Sequence, residues 1–577
     1  MPKCIVRRAN TTKKTTQLSS LPPLLQKIYL ARKIESMNDI DRSLSALLPY
    51  QNLSNIEKAA ARLADAIEKN QFILIIGDFD ADGATSTAVA VAALKLFGAT
   101  KVDFLVPNRF TFGYGLTPEI VDVAATKSPD LIITVDNGIS SIDGVARANH
   151  FNIDVIVTDH HLQGDQLPDA FAIVNPNQKN DLFESKNLAG VGVIFYVMLA
   201  VRAELILRNY FTKNNINKPN LANLLDLVAL GTIADVVPLD KNNRVLVHQG
   251  LQRIRANKAC PGIQALLKIT NKDYINLIAS DLGFSIGPRL NAAGRLDDMS
   301  LGIHCLLESN VEKALEKAEQ LDQLNHERRA IENDMKNQAF QIVDQLDFNK
   351  ALPIGICLYD ANWHQGVIGL VASRVKEKLN RPVIAFANAG HHIIKGSARS
   401  VYGVHIRDIL DCIAKKYPDL LSKFGGHAMA AGLSIHQKDF QQFSIIFSDI
   451  ISQHLTEDQL KQHIESDGVL NHADLTLENA HLLREAGPWG QHFPEPIFDG
   501  EFDIVNQRLV GGAHLKLVLK PIDGNYCVEA IAFQVDLSKW PNHRCHRVTL
   551  AYRLDINFYR GKSSLQLIAE EMIELKC

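Results

Sequence analysis

Residues 72–83 read Phe72-Ile73-Leu74-Ile75-Ile76-Gly77-Asp78-Phe79-Asp80-Ala81-Asp82-Gly83, and an alanine-rich segment, residues 84–96, follows. Five apolar residues closed by glycine predict a buried strand, and the alanine-rich run predicts a helix. Three carboxylates therefore sit on the turn where a strand ends. In an open parallel sheet that edge is where ligands bind, because the loops leaving the strands converge there. Asp78, Asp80 and Asp82 alternate along the turn and repel one another at close range unless a cation lies between them. A divalent ion is the natural occupant; a calcium-style acidic loop or a solvated turn is the plainer alternative.

The pattern outward from this turn is strand and helix in alternation: strands at 102–106, 131–135 and 153–158, helices at 118–126 and 142–150. Such alternation predicts a parallel α/β sheet. Two more strand ends carry polar residues, Asp136-Asn137-Gly138 and Asp159-His160-His161. A fourth element, Gly231-Thr232-Ile233-Ala234-Asp235, isolates one carboxylate in an apolar segment. A buried unpaired charge is costly there, so Asp235 needs a metal, a helix cap or an arginine. These acids with one or two imidazoles suit Mn²⁺ or Mg²⁺ better than zinc. Five carboxylates exceed what one hard cation neutralises, which predicts two ions of the kind that clamp a phosphoryl displacement.

The four motifs, in this order, resemble those of the DHH phosphoesterase superfamily, named after its Asp-His-His signature, and within it the bacterial branch of exonucleases specific for single-stranded DNA. The resemblance implies that Asp80, Asp82, Asp136, His160 and Asp235 hold the metals, with Asp136 between the ions. Asp78 joins the ligand set with less support, because pyrophosphatase-like members begin this motif with a histidine that is missing here. His161 would face the scissile phosphate and Asp159 would orient an imidazole, giving His161, Asp136 and Asp159 as catalytic candidates. The implied activity is 5'-to-3' hydrolysis of single-stranded DNA to 5'-mononucleotides in recombination and repair, with a single-strand-binding protein and a DNA helicase as partners.

Composition agrees with several domains. The 577 residues exceed one core, and 46% hydrophobic with 22% charged residues is a globular balance. A net charge of −3 argues against nucleic-acid binding by bulk charge and leaves room for a local basic channel. Eight scattered cysteines form neither a zinc knuckle nor a disulfide framework and fit a reducing, cytoplasmic setting. No apolar run approaches the roughly 20 residues of a membrane span, which predicts no membrane partner. Residues 1–32 hold Lys and Arg without acids, as transit peptides do, but Leu21-Pro22-Pro23-Leu24-Leu25 reads as the start of a folded helix. No Gly-x-x-x-x-Gly-Lys-Ser/Thr loop is present, which disfavours an ATP-driven enzyme.

The expected architecture is an N-terminal helical segment (1–70), a parallel-sheet α/β domain (71–305), a long bridging helix (306–349), a second α/β domain (350–460) and a C-terminal β-barrel of OB type (461–577). The first segment predicts a helical face of Ile56, Ala60, Leu63 and Ile67. Arg109 and Tyr114, in an aromatic and glycine-rich loop, suit a phosphate contact beside a stacking surface or a plain covering loop. Arg289, Asn291 and Arg295 fall in a glycine-punctuated stretch that reads as a phosphate-holding loop. Residues 309–348 contain no glycine or proline and predict one helix, opened by a capping box at Ser309 and Glu312, whose Gln323, Asn325, Arg328 and Arg329 line a cleft or face solvent. In the second domain the loops of Ser397, Arg399 and His427 resemble the DHH-associated substrate-holding motifs; a buried structural histidine is the alternative for His427. The alternating strands after residue 500 predict a five-stranded barrel with His514, Lys516, Lys520, Arg547 and Tyr552 as strand-gripping candidates. A phosphodiesterase for short oligonucleotides or cyclic dinucleotides, a pyrophosphatase, or a non-catalytic strand-binding scaffold are the rival functions.

Overall fold

The computed structural model of the chain describes residues 3–8, 16–108, 112–345, 353–421, 423–455 and 460–575. The strands read from the sequence form one all-parallel sheet, in the order Val102–Leu105, Ile73–Gly77, Leu131–Val135, Asp154–Thr158, Ala172–Val174. The last of these is too short to stand out in the sequence. Successive side chains point to opposite faces, so Leu74, Ile76, Ile132 and Val155 pack under helices Pro118–Thr126 and Ile142–His150. Ile73, Ile75, Leu131 and Ile133 pack on the other side with helices Ile56–Glu68, Ala81–Leu96 and Gly190–Leu207. Val102–Leu105 lies to one side of Ile73–Gly77 and Leu131–Val135 to the other. Their connections diverge there and open a crevice beyond the carboxyl ends of Ile73–Gly77 and Leu131–Val135.

Gly190–Leu207 is an 18-residue apolar helix, long enough by composition to cross a membrane, contrary to the expectation that no apolar run approaches that length. Its surroundings explain its apolarity: two thirds of it is buried within the protein. Helix Ile56–Glu68 carries the expected buried face of Ile56, Ala60, Leu63 and Ile67, but the rest of the N-terminal segment is less helical than expected. Among the described residues of that segment, Pro23–Ala31 is the one other α-helix, joined to Ile56–Glu68 by short 3-10 turns. Strand Cys4–Arg7 pairs in parallel with His463–Ser466, which precedes the barrel.

The bridging helix runs Val311–Gln345, 35 residues or about 52 Å. Its start is capped by Asn310, whose Oδ1 accepts from the Lys313 amide at 3.0 Å, and not by the expected box at Ser309 and Glu312. The expected end of this helix, after Gln345, lies outside the described residues. Of the residues expected along its cleft, Gln323 and Arg329 are exposed. Asn325 and Arg328 are instead buried, and Arg328 pairs with Glu332, which accepts in turn from Arg374 Nε of the second domain at 2.9 Å. They are spent on joining domains.

The second domain is a mixed sheet ordered Lys423–Gly426, Ala430–His436, Ile393–Arg399, Val383–Asn388, Ile356–Tyr359, flanked by helices Ile368–Leu379, Ile406–Lys416 and Phe440–Ser452. The C-terminal strands Phe498–Val510, His514–Pro521, Val528–Ala532, Arg547–Tyr559 and Lys562–Glu574 close into a barrel. Tyr552 cannot grip a strand as expected, because it is 1% exposed and packs on Phe498 and Phe502 inside the barrel. Lys516 and Arg547 are held in surface ion pairs with Glu529 and Asp503, and His514 packs edge-on against Phe533. Lys520 is exposed.

A buried ion pair ties the end of the N-terminal helix Pro23–Ala31 to the segment that leads into the barrel. Arg32 donates from Nη1 and Nη2 to Asp467 at 2.9 and 3.0 Å, with both side chains 1% exposed. Removing one partner leaves an uncompensated charge. Arg32→Ala is expected to destabilise this unit by about 3–5 kcal/mol, read from urea unfolding followed by the fluorescence of nearby Trp489; a change under about 1 kcal/mol would contradict it.

Candidate metal centre and substrate cleft

The crevice gathers the carboxylates because each is fixed by backbone. Asp80 caps helix Ala81–Leu96, accepting from the amides of Asp82 and Gly83 at 2.9 and 3.0 Å. Asp82 is 1% exposed, and its two oxygens accept from the amides of Gly190 and Val191 at 2.6 and 3.0 Å, at the start of helix Gly190–Leu207. A helix N-terminus favours such a carboxylate. Asp136 sits in the left-handed region at φ 61°, unusual for a residue with a side chain. It is pressed against Gly190, where an added Cβ would lie 2.6 Å from the Asp136 Cβ. Asp235 follows the last residue of helix Leu225–Ala234.

Donor atoms of Asp78, Asp80 and Asp136 lie within 4.8 Å of one another, as do those of Asp82, His160 and Asp235, and those of Asp136, His160 and His161. His160 Nε2 is 3.1 Å from Asp136 Oδ1 and 3.6 Å from Asp235 Oδ2. Both His160 Nε2 and Asp136 Oδ1 are buried without a hydrogen-bond partner. Buried polar atoms are seldom left so, and two of them 3.1 Å apart are spaced as neighbouring ligands of one divalent cation would be. The set is mostly oxygen, which fits Mn²⁺ or Mg²⁺.

Electrostatics show the same strain. Burial and the charge of Asp235 push the Asp82 carboxyl up to about 7, and burial with Asp80 pushes Asp235 up to about 8. Burial and Asp82 hold Asp136 well above the carboxylate range. His160 is pushed down by burial and by His161, which leaves its nitrogen free to ligate. His161 behaves oppositely: burial opposes its charge, but the Asp159 carboxylate at 2.7 Å from Nδ1 raises it to about 9. Asp159, despite burial, is brought to about 2 by that same cation. An imidazolium thus stands beside the carboxylates.

The Tyr114 hydroxyl lies 3.2 Å from His161 Nε2 and donates to the Asp136 carbonyl at 3.3 Å. From the second domain, the His427 ring stacks on His161 at 5.2 Å and 28° between planes. Burial and His161 lower His427 to about 4, so it faces the cation as a neutral ring. Arg399 Nη1 donates to Ser397 Oγ at 3.0 Å, on the strand that pairs with Ala430 beside the His427 turn. An added Cβ on Gly369, in the first turn of helix Ile368–Leu379, would sit 2.7 Å from Arg399 and 2.9 Å from Ser397. Guanidinium, hydroxyl and helix N-terminus converge there, as anion sites do.

Three expected substrate contacts are placed otherwise. Residues 287–296 form a helix, Gly287–Leu296, entered through one π turn, and not a loop. Arg289 pairs with Asp322 at 2.8 Å, Asn291 Oδ1 accepts from the Ala81 amide at 2.9 Å, and Arg295 donates to the Gly366 carbonyl at 3.0 Å. Arg109 lies outside the described residues. Residues that the sequence did not flag include Asn175 and Asn177, which donate to the carbonyls of His161 and His160 at 2.9 and 2.6 Å, and the amides of Gly190 and Val191. Asn175-Pro176-Asn177 directly after a strand was the available signal for the first pair.

Comparison with known proteins gives three family matches: the DHH family, N-terminal domain, over residues 72–232, the DHHA1 domain over 352–453, and the RecJ OB domain over 466–571. The chain is 51% identical over 568 residues to the single-stranded-DNA-specific exonuclease RecJ of Escherichia coli, covering 98% of each, and 52% identical over 566 residues to that of Dickeya dadantii, again 98% of each. The structure of Thermus thermophilus RecJ in complex with Mn²⁺ matches with a TM-score of 0.80 at 28% identity, over 100% of this chain and 80% of that one. The Mg²⁺ complex of the same protein matches at 0.75 and 26%.

If the carboxylates are held apart from ionisation only by one another and by burial, a divalent ion must displace protons. The raised Asp82 and Asp235 favour the ion-free protein at low pH, and that contribution is lost as pH rises from the ordinary carboxylate range towards about 8. Mn²⁺ should reverse the loss. The rise in melting temperature on adding Mn²⁺ is expected to grow from pH 6 to pH 8.5; a shift independent of pH would contradict the coupling.

Proposed function

The chain belongs to the RecJ family of single-stranded-DNA-specific exonucleases, and from that premise we propose that it degrades single-stranded DNA from the 5' end to 5'-mononucleotides by two-metal hydrolysis. The observation that carries the chemistry is the pair of orphaned atoms, Asp136 Oδ1 and His160 Nε2, 3.1 Å apart inside a cluster of five carboxylates. Asp80, Asp82, Asp136, His160 and Asp235, with Asp78 at the margin, would hold two Mn²⁺ or Mg²⁺ ions. When bound, such ions lower the pKa of water and neutralise charge on a phosphate under attack.

The protein's own groups do the rest. His161, cationic through Asp159, offers its charge to the scissile phosphate. Tyr114 orients that imidazole from one side and His427 covers it from the other. Ser397 and Arg399, at the helix N-terminus beyond His427, receive the 5'-phosphate and so set where the first scissile bond lies. Bridging helix and second domain roof the crevice, which favours a single strand over a duplex; Lys520 on the barrel and the loop of Arg109 are our candidates for contacts further along it. The five-part division at residues 70, 305, 349 and 460 assigns hydrolysis to the first α/β domain and strand retention to the barrel. A cytoplasmic role in recombination and repair, with a helicase and a single-strand-binding protein supplying substrate, follows from the same family premise.

The test is digestion of end-labelled single-stranded and duplex DNA with Mn²⁺, Mg²⁺ or EDTA. Mononucleotides are expected from the 5' end of single strands with either metal and not with EDTA. Asp136→Ala should lower the rate about a thousandfold or more. Undiminished degradation by that variant, or equal attack on duplex, would refute the assignment.

A further inference from the structure

Helix Gly287–Leu296 touches three parts of the molecule at once. Towards the acidic turn, Asn291 Oδ1 accepts the Ala81 amide at 2.9 Å. One turn later Gly294 lies so close to that turn that an added Cβ would be 1.7 Å from the Phe79 carbonyl oxygen. Towards the second domain, Arg295 Nη1 donates to the Gly366 carbonyl at 3.0 Å, and an added Cβ on Gly366 would be 2.2 Å from the Arg295 carbonyl oxygen. Towards the bridging helix, Arg289 pairs with Asp322 at 2.8 Å. Two backbone contacts too tight for any side chain thus clamp one short helix between Phe79-Asp80-Ala81 and the loop that opens helix Ile368–Leu379.

The Ala81 amide belongs to the first turn of helix Ala81–Leu96, where no carbonyl of the helix is available to it. Asp80 already serves the amides of Asp82 and Gly83, so the Ala81 amide between Asp80 and Asp82 is taken by Asn291. Asn291 makes this contact from a helix whose other side is fixed by the second domain.

We propose that Asn291 is a positioning residue for the metal-holding acidic turn, and that helix Gly287–Leu296 makes the placement of Asp80 and Asp82 depend on the seating of the second domain. It rests on the nuclease assignment above, but acts through protein geometry and not through a contact with DNA. The loss of one hydrogen bond to a buried amide, with the turn freed to move, corresponds to about a tenfold change in equilibrium.

The experiment compares full-length wild type, Asn291→Ala, Asn291→Asp and Arg295→Ala by direct Mn²⁺ titration in a calorimeter without DNA. Binding of an unhydrolysed single strand in EDTA is measured separately. Asn291→Ala is expected to weaken Mn²⁺ about tenfold while strand affinity in EDTA is unchanged; Asn291→Asp, which keeps the acceptor oxygen, should recover most of the loss. Arg295→Ala should weaken Mn²⁺ in the same direction although it carries no ligand. Circular dichroism of each variant reports folding, and Gln323→Ala on the exposed face of the bridging helix is the unchanged control. Weakened strand binding with wild-type Mn²⁺ affinity would overturn the proposal and return Asn291 to a substrate contact. Wild-type Mn²⁺ affinity in both Asn291→Ala and Arg295→Ala would overturn it outright. Failure of the wild type to cut DNA would sink the nuclease assignment alone, because the metal titration does not depend on turnover.

Discussion

Mutual repulsion among carboxylates at one sheet edge is the constraint around which this molecule is built. Two unit charges 4 Å apart interact with about 4 kcal/mol at the effective dielectric of a protein surface. Donor atoms of Asp78, Asp80 and Asp136 lie within 4.8 Å of one another, as do those of Asp82 and Asp235 with His160, and burial first, then the neighbouring carboxylates, pushes Asp82, Asp136 and Asp235 far from their ordinary ionisation. Nothing in a random turn would hold them there. The fold does so with helix N-termini under Asp80 and Asp82, a left-handed backbone at Asp136 and a glycine that lets two segments touch. A cation entering the cluster would relieve the repulsion and offset the cost of burying the carboxylates.

The second domain completes the centre and limits what reaches it. His427 stacks on His161, and Ser397 and Arg399 lie on a strand bonded to the His427 hairpin. Buried Arg328 and Glu332 tie the bridging helix to Arg374 of the second domain. The barrel is likewise anchored, through Arg32 and Asp467, to the helices under the first sheet.

Much of this was legible in the sequence because strands write their ends clearly. Short β-branched and apolar runs, 72–76, 131–135 and 155–158, end directly before the turns that carry Asp78, Asp136 and Asp159, and the topology then brings these together. Arg289, Asn291 and Arg295 were misplaced because Gly287-Pro288 and Gly294 look like loop punctuation. In the structure Pro288 opens a helix and Gly294 makes room for a backbone carbonyl. Tyr552 was misplaced because alternation along a strand does not say which face is wet. The amides of Gly190 and Val191 hold Asp82 without any side chain to announce them. Strand Cys4–Arg7 is short and its partner is distant in the chain, so no local pattern could pair them.

The most direct measurement is anomalous diffraction at the manganese edge from crystals of the protein soaked in Mn²⁺. Two peaks are expected, separated by roughly 4 Å, with Asp136 between them and Asp80, Asp82, His160 and Asp235 around them. An absence of peaks in the crevice at saturating Mn²⁺, with Asp82 and Asp235 turned away from each other, would contradict the account at its root.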